Sequence, residues 1–448
     1  MALYSTGDKC KGRKPRIKMP LGNFGTKTPN LTFYIKNGII IIRKNIKKDR
    51  FDTMELNTKQ EEGLKIAVAR FKERQPWTCI AGYAGTGKST LIKFIIAALG
   101  VNEEDVAYVA YTGKAANVLK QKGCLNAITA HKLLYHAVQM PDGKYMFKSK
   151  RKLDGEYKII VVDEVSMLPK EMWELLLTHR VHILATGDPG QLPPINKDQD
   201  NQVLAHPHIF LDEIMRQEAE SEIIRLSMHV REGRPIGEFK ASGAQVQIID
   251  KSQLITGMYE WADQILCATN KTRQDINNLI RQLRGYGVEP EEDDKIISLH
   301  NHWGILSLEN SPLTNGSIGS ILRSEKQYIY YPHYINNGEK VEVLWTHILD
   351  ESGEHFMDIP IDYKLLTTGE KALTSMQEYK IAKNKKLLPP PYEFAYGYAI
   401  TTHKAQGSEW NKVLLIEESF PFDKEEHKRW LYTGITRASD KLVVVKGD

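Results

Sequence analysis

The chain has 448 residues, 41% of them hydrophobic and 26% charged, which at ~100–200 residues per domain allows two to four domains and excludes wholesale disorder. No apolar run approaches the ~20 residues that cross a bilayer, and the burst at 38–42 lacks the length and cleavage site of a signal peptide, so no membrane role is expected. Cys10, Cys79, Cys124 and Cys267 stand in neither metal-ligand nor disulfide-framework spacing, which points to a reducing, cytoplasmic setting.

The net charge of +5 is unevenly placed: residues 1–50 carry thirteen Lys or Arg against Asp8 and Asp49. Such an arm is a candidate polyanion contact, because clustered cations gain affinity by displacing counterions from phosphates. Within it LTFYIK and IIIIRK flank Asn37-Gly38, a strong hairpin signal. A helix pattern follows from Glu55, where Asn57 or Thr58 can cap and Glu61 stands three residues beyond Thr58 as in a capping box. Gln60, in its first turn, could offer an amide to an adenine edge.

At 77–99 the chain reads WTCIAGYAGTGKSTLIKFIIAAL: a β-prone run, a glycine loop, then a helix-period apolar pattern. This is the full G-x-x-x-x-G-K-S spacing in its required context, a P-loop. Its amides and the helix N-terminus cradle phosphates. The expected nucleotide contacts are Gly82, Ala84, Gly85, Thr86, Gly87, Lys88, Ser89 and Thr90, with Lys88 on the β- and γ-phosphates and the Ser89 hydroxyl on Mg²⁺.

A second strand-to-helix turn, VAYVAYTGKAANVLK, placed beside the first, predicts a doubly wound parallel sheet with ligands at the carboxyl ends of its strands. Thr112, Lys114 and His131 stand at or near such ends. Residues 135–157 read as a hairpin excursion between Pro141-Asp142-Gly143 and Asp154-Gly155, where Tyr145 and Phe147 alternate with lysines and could stack on bases. The run YKIIVVDE then ends in two carboxylates: Asp163 to support Mg²⁺ and Glu164 to orient the attacking water. In GDPGQLPP, Gln191 could sense the γ-phosphate. Arg216 and Arg437, from elsewhere in the chain, could close over the triphosphate. From 264 the strand, turn and helix pattern returns with Thr269 and Asn270 at the strand end. Short β-prone runs to about residue 391 suit a small barrel or β-rich insertion, and 393–448 resumes the α/β pattern.

In order, the P-loop, TGKAANVL, VVDEVSM, GDPGQLPP, IMRQ, YAITTHKAQGSEW and LYTGITRA resemble the motifs of superfamily 1 helicases, most of all the RecD-like and phage Dda-like branch that moves 5′ to 3′ on single-stranded DNA. The resemblance covers roughly 56–446. It implies an α/β fold of two RecA-like P-loop domains with parallel sheets, a β-hairpin pin in the first and an SH3-like insertion in the second. The expected divisions are 1–54 as a basic extension, 55–203 as the first domain with 135–157 as its pin, 204–318 and 393–448 as the second, and 319–392 as the insertion. It also implies an ATP hydrolase with Mg²⁺, Gln60 reading adenine, Lys88, Glu164, Gln191, Arg216 and Arg437 in catalysis, and Ser89 and Asp163 at the metal. Thr112, His131, Asn270, Thr402, His403 and Lys404 would line the strand track, and Phe147 would sit on the pin. Partners would be single-stranded, duplex and fork DNA and replication or recombination proteins, with the chain working as a monomer in a bacterial or phage-infected cell, at the nucleoid. The residues alone leave an RNA-directed or non-unwinding translocase, or a nucleotide-gated binding switch, open.

Overall fold

The computed structural model describes residues 31–36, 39–44, 56–124, 126–139, 145–193, 201–215, 218–308, 312–384, 386–419 and 423–447. Strands Val106–Ala110 and Ile159–Val162 are apolar and buried at every position, as helices on both faces of a parallel sheet require. They lie in a six-stranded, all-parallel sheet ordered Ile209–Leu211, Trp77–Gly82, His182–Gly187, Ile159–Val162, Val106–Ala110, Ala127–Thr129. Ile159 and Val161 pack with Leu91 and Ile95 of helix Lys88–Leu99, whereas Ile160 and Val162 turn to Trp173 and Leu176 of helix Lys170–Thr178. Each such side chain contributes ~1.5–3 kcal/mol on burial. Because the strands are parallel, the loops after Gly82, Ala110, Val162 and Gly187 all emerge at one edge.

Three expectations are corrected in this part of the structure. The second strand-to-helix turn is not beside the first, since His182–Gly187 and Ile159–Val162 fill the two positions between them. Strand Ile209–Leu211 pairs with the P-loop strand, so the first unit runs past residue 203. The capping box of helix Thr58–Lys72 is formed by Asn57 and Gln60, not Thr58 and Glu61, because Asn57 sits in extended backbone with its side-chain oxygen on the Gln60 amide.

A second all-parallel sheet is ordered Val246–Ile249, Ala438–Val445, Trp410–Ile416, Gln264–Cys267, Ala399–Thr401. Beside it lies an antiparallel sheet ordered His355–Asp362, Lys340–Asp350, Ile318–Tyr330, Lys295–Ser298, Phe394–Tyr396, which reaches outside 319–392 at both ends. Helices His333–Asn336, Tyr363–Thr368 and Ser375–Lys383 interrupt its β-prone text. The first follows Pro332, which has no N–H to continue a ladder.

Hairpin Leu31–Lys36 with Ile39–Lys44 sets Lys36 opposite Ile39, the spacing a two-residue turn demands; the turn itself and the other residues up to 55 lie outside the described residues. Tyr135–Gln139 pairs with Tyr145–Ser149, with Ala137 opposite Phe147, and the turn signal at 141–143 again lies outside. Among the described residues no helix is long and apolar enough to cross a membrane, and Cys79, Cys124 and Cys267 are buried free thiols. Lys114 joins the three sheets: its ammonium meets Glu351 at 2.5 Å and lies 3.7 Å over the Trp410 ring.

Candidate active site

The P-loop turns on Gly87, whose φ of +79° is open to glycine at no steric cost. A Cβ there would also stand 2.5 Å from Gln60 Nε2. Gln60 is fully buried. Its amide donates to the Thr86 carbonyl (3.0 Å) and the Met215 sulfur (3.1 Å), and its oxygen accepts from the Asn57 N–H at 3.1 Å. It therefore braces the loop from below, and reading an adenine edge would require it to exchange those partners. Lys88 opens the following helix and donates to the carbonyls of Gly82 (2.7 Å) and Tyr83 (3.0 Å).

Two strands along the same edge, Asp163 accepts from the Thr186 hydroxyl at 2.8 Å, which fixes the orientation of its carboxylate. Glu164 takes left-handed backbone, φ 49° and ψ 53°, a conformation that costs ~1–3 kcal/mol for such a residue and persists where the surroundings impose it. Its carboxylate accepts from Gln191 Nε2 at 3.2 Å. Burial, then the neighbouring Asp163, holds the Glu164 carboxyl above the usual carboxylate range, against the pull of Arg437 and Lys88.

These groups face a cleft of about 1090 Å³ whose other wall comes from the second sheet. Gly85 to Thr90, Asp163, Glu164 and Gln191 line one side, and Ser408, Glu409, Thr436 and Arg437 the other. Gln60 does not line it. Arg437 is 5% exposed and donates to Thr433 O (3.0 Å), Ser408 O (3.1 Å) and the Thr436 hydroxyl (3.0 Å). Three of its five N–H donors are thereby accounted for, so a phosphate can be met by the remainder with the guanidinium already positioned. Arg216 lies outside the described residues.

Sequence reasoning missed the seam of this cleft. The Tyr432 hydroxyl accepts from the Ala84 N–H (2.8 Å) and donates to Asp188 (2.6 Å). Leu192 is held by Thr433 through its N–H (2.9 Å) and by Gln406 through its carbonyl (2.6 Å). The Arg231 guanidinium lies 3.8 Å over the Tyr83 ring. Only the polar character of LYTGITRA and GDPGQLPP could have signalled these contacts.

The expected track residues stand at the carboxyl edges of both sheets, away from the cleft lining. The Thr112 hydroxyl caps helix Gly113–Gln121 through the Ala115 N–H at 3.2 Å. Asn270 is exposed in the first turn of helix Asn270–Leu283. Thr402 is fully buried with its hydroxyl on Cys267 O at 3.4 Å. Burial lowers His403, and lowers Lys404 to about 8, where its ammonium reaches Leu299 O at 3.3 Å and the Asn315 side chain. Lys114, likewise lowered to about 8 by burial, is committed to Glu351 and Trp410.

His131 is buried and stacked on Tyr135 at 5.8 Å, and burial lowers its pKa from 6.5 to about 3. The unfolded chain takes up this proton as pH falls through the ordinary 6.5 while the folded chain refuses it until about 3. Stability is therefore full above the unfolded value and declines below it, by about 2 kcal/mol at about pH 5. Urea midpoints of the wild type and His131→Gln at neutral and mildly acid pH check this: the variant should lose less on acidification. An identical loss removes His131 from the account.

Residues 55–253 match the family described as "AAA domain", and residues 396–445 the "UvrD-like helicase C-terminal domain". The chain is 25% identical over 391 residues to the ATP-dependent RecD2 DNA helicase of Deinococcus radiodurans, covering 81% of this chain and 46% of that one. It is 24% identical over 432 residues to the ATP-dependent DNA helicase dda of Enterobacteria phage T4, covering 86% and 97%. The chain combines an AAA domain with a UvrD-like helicase C-terminal domain. It spans about half the length of the Deinococcus relative. A solved Bacteroides Pif1 helicase, in complex with ADP-AlF3 and ssDNA, overlays with a TM-score of 0.47 at 14% identity, over 87% of this chain and 92% of that one, too distant to add to the assignment.

Proposed function

We propose that the chain is an ATP-driven DNA helicase that moves 5′ to 3′ on a single strand and opens the duplex ahead of it. The observation that carries this reading is the two-walled cleft, with the P-loop, Asp163 and Glu164 on one wall and Arg437 on the other. ATP bound there draws charges from both halves onto one triphosphate, and hydrolysis removes the bridge. Only a difference in strand affinity between the bridged and open states can convert that cycle into movement.

The residues take the following parts. Lys88 and the loop amides hold the β- and γ-phosphates, Glu164 orients and polarises the attacking water, and Gln191, bonded to Glu164, reports its position to the 188–192 loop. The Ser89 hydroxyl and Asp163, which line the same cleft, would hold Mg²⁺, whose chemistry is to neutralise charge on the β- and γ-oxygens. Arg437, and Arg216 by the family likeness, stabilise charge spreading over the transferred group. Gln60 meets the adenine once it leaves its loop partners. Thr112, His131, Asn270, Thr402, His403 and Lys404 border the strand path, on which burial keeps His131 a neutral stacking partner. The 135–157 hairpin is the pin, and the β-rich 319–392 region the insertion that roofs the path. The motor works as a monomer alongside replication or recombination proteins.

Unwinding of forked duplexes with only a 5′ or only a 3′ tail, with strand-stimulated ATPase on DNA and on RNA, tests the reading. Unwinding only from the 5′ tail, with DNA the better stimulant, is expected. Stimulation by RNA alone, or turnover without unwinding from either tail, would replace it. Phe147, half-buried opposite Ala137 on the hairpin, gives a finer check: Phe147→Ala should lower unwinding more than translocation. Equal losses would reduce the hairpin to scaffold.

A further inference from the structure

Tyr432, on helix Lys424–Ile435 of the second sheet's unit, is 1% exposed yet ends in a polar group. A buried phenol needs partners, and both of its partners belong to the other half. The hydroxyl donates its one hydrogen bond to Asp188 at 2.6 Å, so it can meet Ala84 only as an acceptor, and it does so at 2.8 Å. Burial, then Asp188, holds the phenol well above the ordinary tyrosine range, which keeps that proton in place. Ala84 is the third residue of the phosphate cradle, a loop whose N–H groups face bound phosphates.

The remaining bonds at this point run the same way. The second Asp188 oxygen accepts from the Gly190 N–H at 2.8 Å, one residue before Gln191. Thr433, the residue after Tyr432, accepts from Leu192 N–H through its hydroxyl and from Arg437 Nε through its carbonyl, at 2.9 and 3.0 Å. One hydroxyl thus touches the phosphate loop and the glutamine loop, and it rides on the helix that leads to Arg437.

We propose that Tyr432 is a positioning residue that couples the nucleotide to the nucleic-acid strand, because its hydroxyl bonds the Ala84 amide of the phosphate loop and the Asp188 carboxylate at once. The inference rests on the motor reading above and deepens it. When phosphates enter the cradle and shift the Ala84 amide, the shift passes through Tyr432 to the helix that carries Arg437 and, through Asp188, to the Gln191 loop. Without the hydroxyl each half keeps its own ligand contacts and the Leu192 bonds to Thr433 and Gln406 remain, but the tie through the Ala84 amide and Asp188 is lost.

The test uses Tyr432→Phe, which keeps the ring and removes the bonds. The affinity of a fluorescent non-hydrolysable ATP analogue is measured with and without a single-stranded oligonucleotide, and the oligonucleotide's with and without the analogue. In the wild type each ligand should change the other's affinity by the same factor, in the ~5–150-fold range usual for linked sites. In Tyr432→Phe that factor should fall towards one while each affinity alone stays within about threefold. Thr433→Ala, which breaks the Leu192 bond one residue along, should keep the wild-type factor. A Tyr432→Phe protein with the wild-type factor overturns the proposal, as does one that loses both lone affinities with the factor intact. Thr433→Ala collapsing the factor equally would also overturn it, since the seam and not the hydroxyl would then be responsible. If the wild type itself shows no linkage, the motor reading fails first, and this inference with it.

Discussion

Lys88→Ala should abolish measurable ATP turnover, a loss of at least ~10³-fold, with the fold intact. The side chain starts the helix that follows the P-loop, and its ammonium is held at the mouth of the cradle by the carbonyls of Gly82 and Tyr83. Two of its three donors are accounted for there, and the charge sits where the β- and γ-phosphates must lie. Alanine leaves the loop amides in place but removes the cation that meets charge moving onto the leaving phosphate oxygens. It also removes one of the two cations that pull Glu164 towards ionisation, leaving burial and Asp163 to hold that carboxyl further up. Phosphate release under saturating nucleotide and DNA, with thermal unfolding as the control for folding, measures the effect. Near-normal turnover would take Lys88 out of the chemistry.

The parts of this site that the sequence made legible are those written within a single strand-to-loop step. A β-branched run such as IIVV, bounded by polar residues, reads as a strand buried on both faces, so the carboxylates that follow it, Asp163 and Glu164, surface at the same sheet edge as the loop that ends in Lys88. The left-handed backbone of Glu164 could not be read that way, because only the surrounding structure imposes it. Neither could the pairing of Tyr432 with Ala84 and Asp188, partners 348 and 244 residues away. Strand order failed for a related reason: local text shows that Val106–Ala110 follows the P-loop helix but not that two later strands will take the places between. In the insertion, short β-prone runs marked β structure but neither the length of its strands nor Tyr363–Thr368 and Ser375–Lys383, short helices set by the caps Asp362 and Thr374. The Asn57 cap shows how close two local solutions can be, for Thr58 with Glu61 offered the same chemistry one residue later.

Arg437→Ala should leave nucleotide binding nearly intact and slow hydrolysis by ~10³–10⁵-fold, the range in which a supplied arginine acts on a phosphoryl group in flight. The separation of binding from turnover follows from where the residue is held. Its guanidinium is fastened by Thr433, Ser408 and Thr436, all in the second unit, whereas the cradle and Lys88 belong to the first. Ground-state phosphates therefore lose little when it goes, and the charge that spreads in the transition state loses the donor opposite it. Arg437 also lowers Glu164 across the cleft, as burial and Asp163 raise it, so its removal leaves that carboxyl less ready to polarise water. Arg437→Lys should recover little, because one ammonium cannot keep three anchoring bonds and still present a fork to the phosphate. Titration with a nucleotide analogue, set beside single-turnover hydrolysis, separates the two effects. Equal losses in affinity and rate would make Arg437 a strut of the seam, and unchanged hydrolysis would leave the second wall of the cleft without a chemical part.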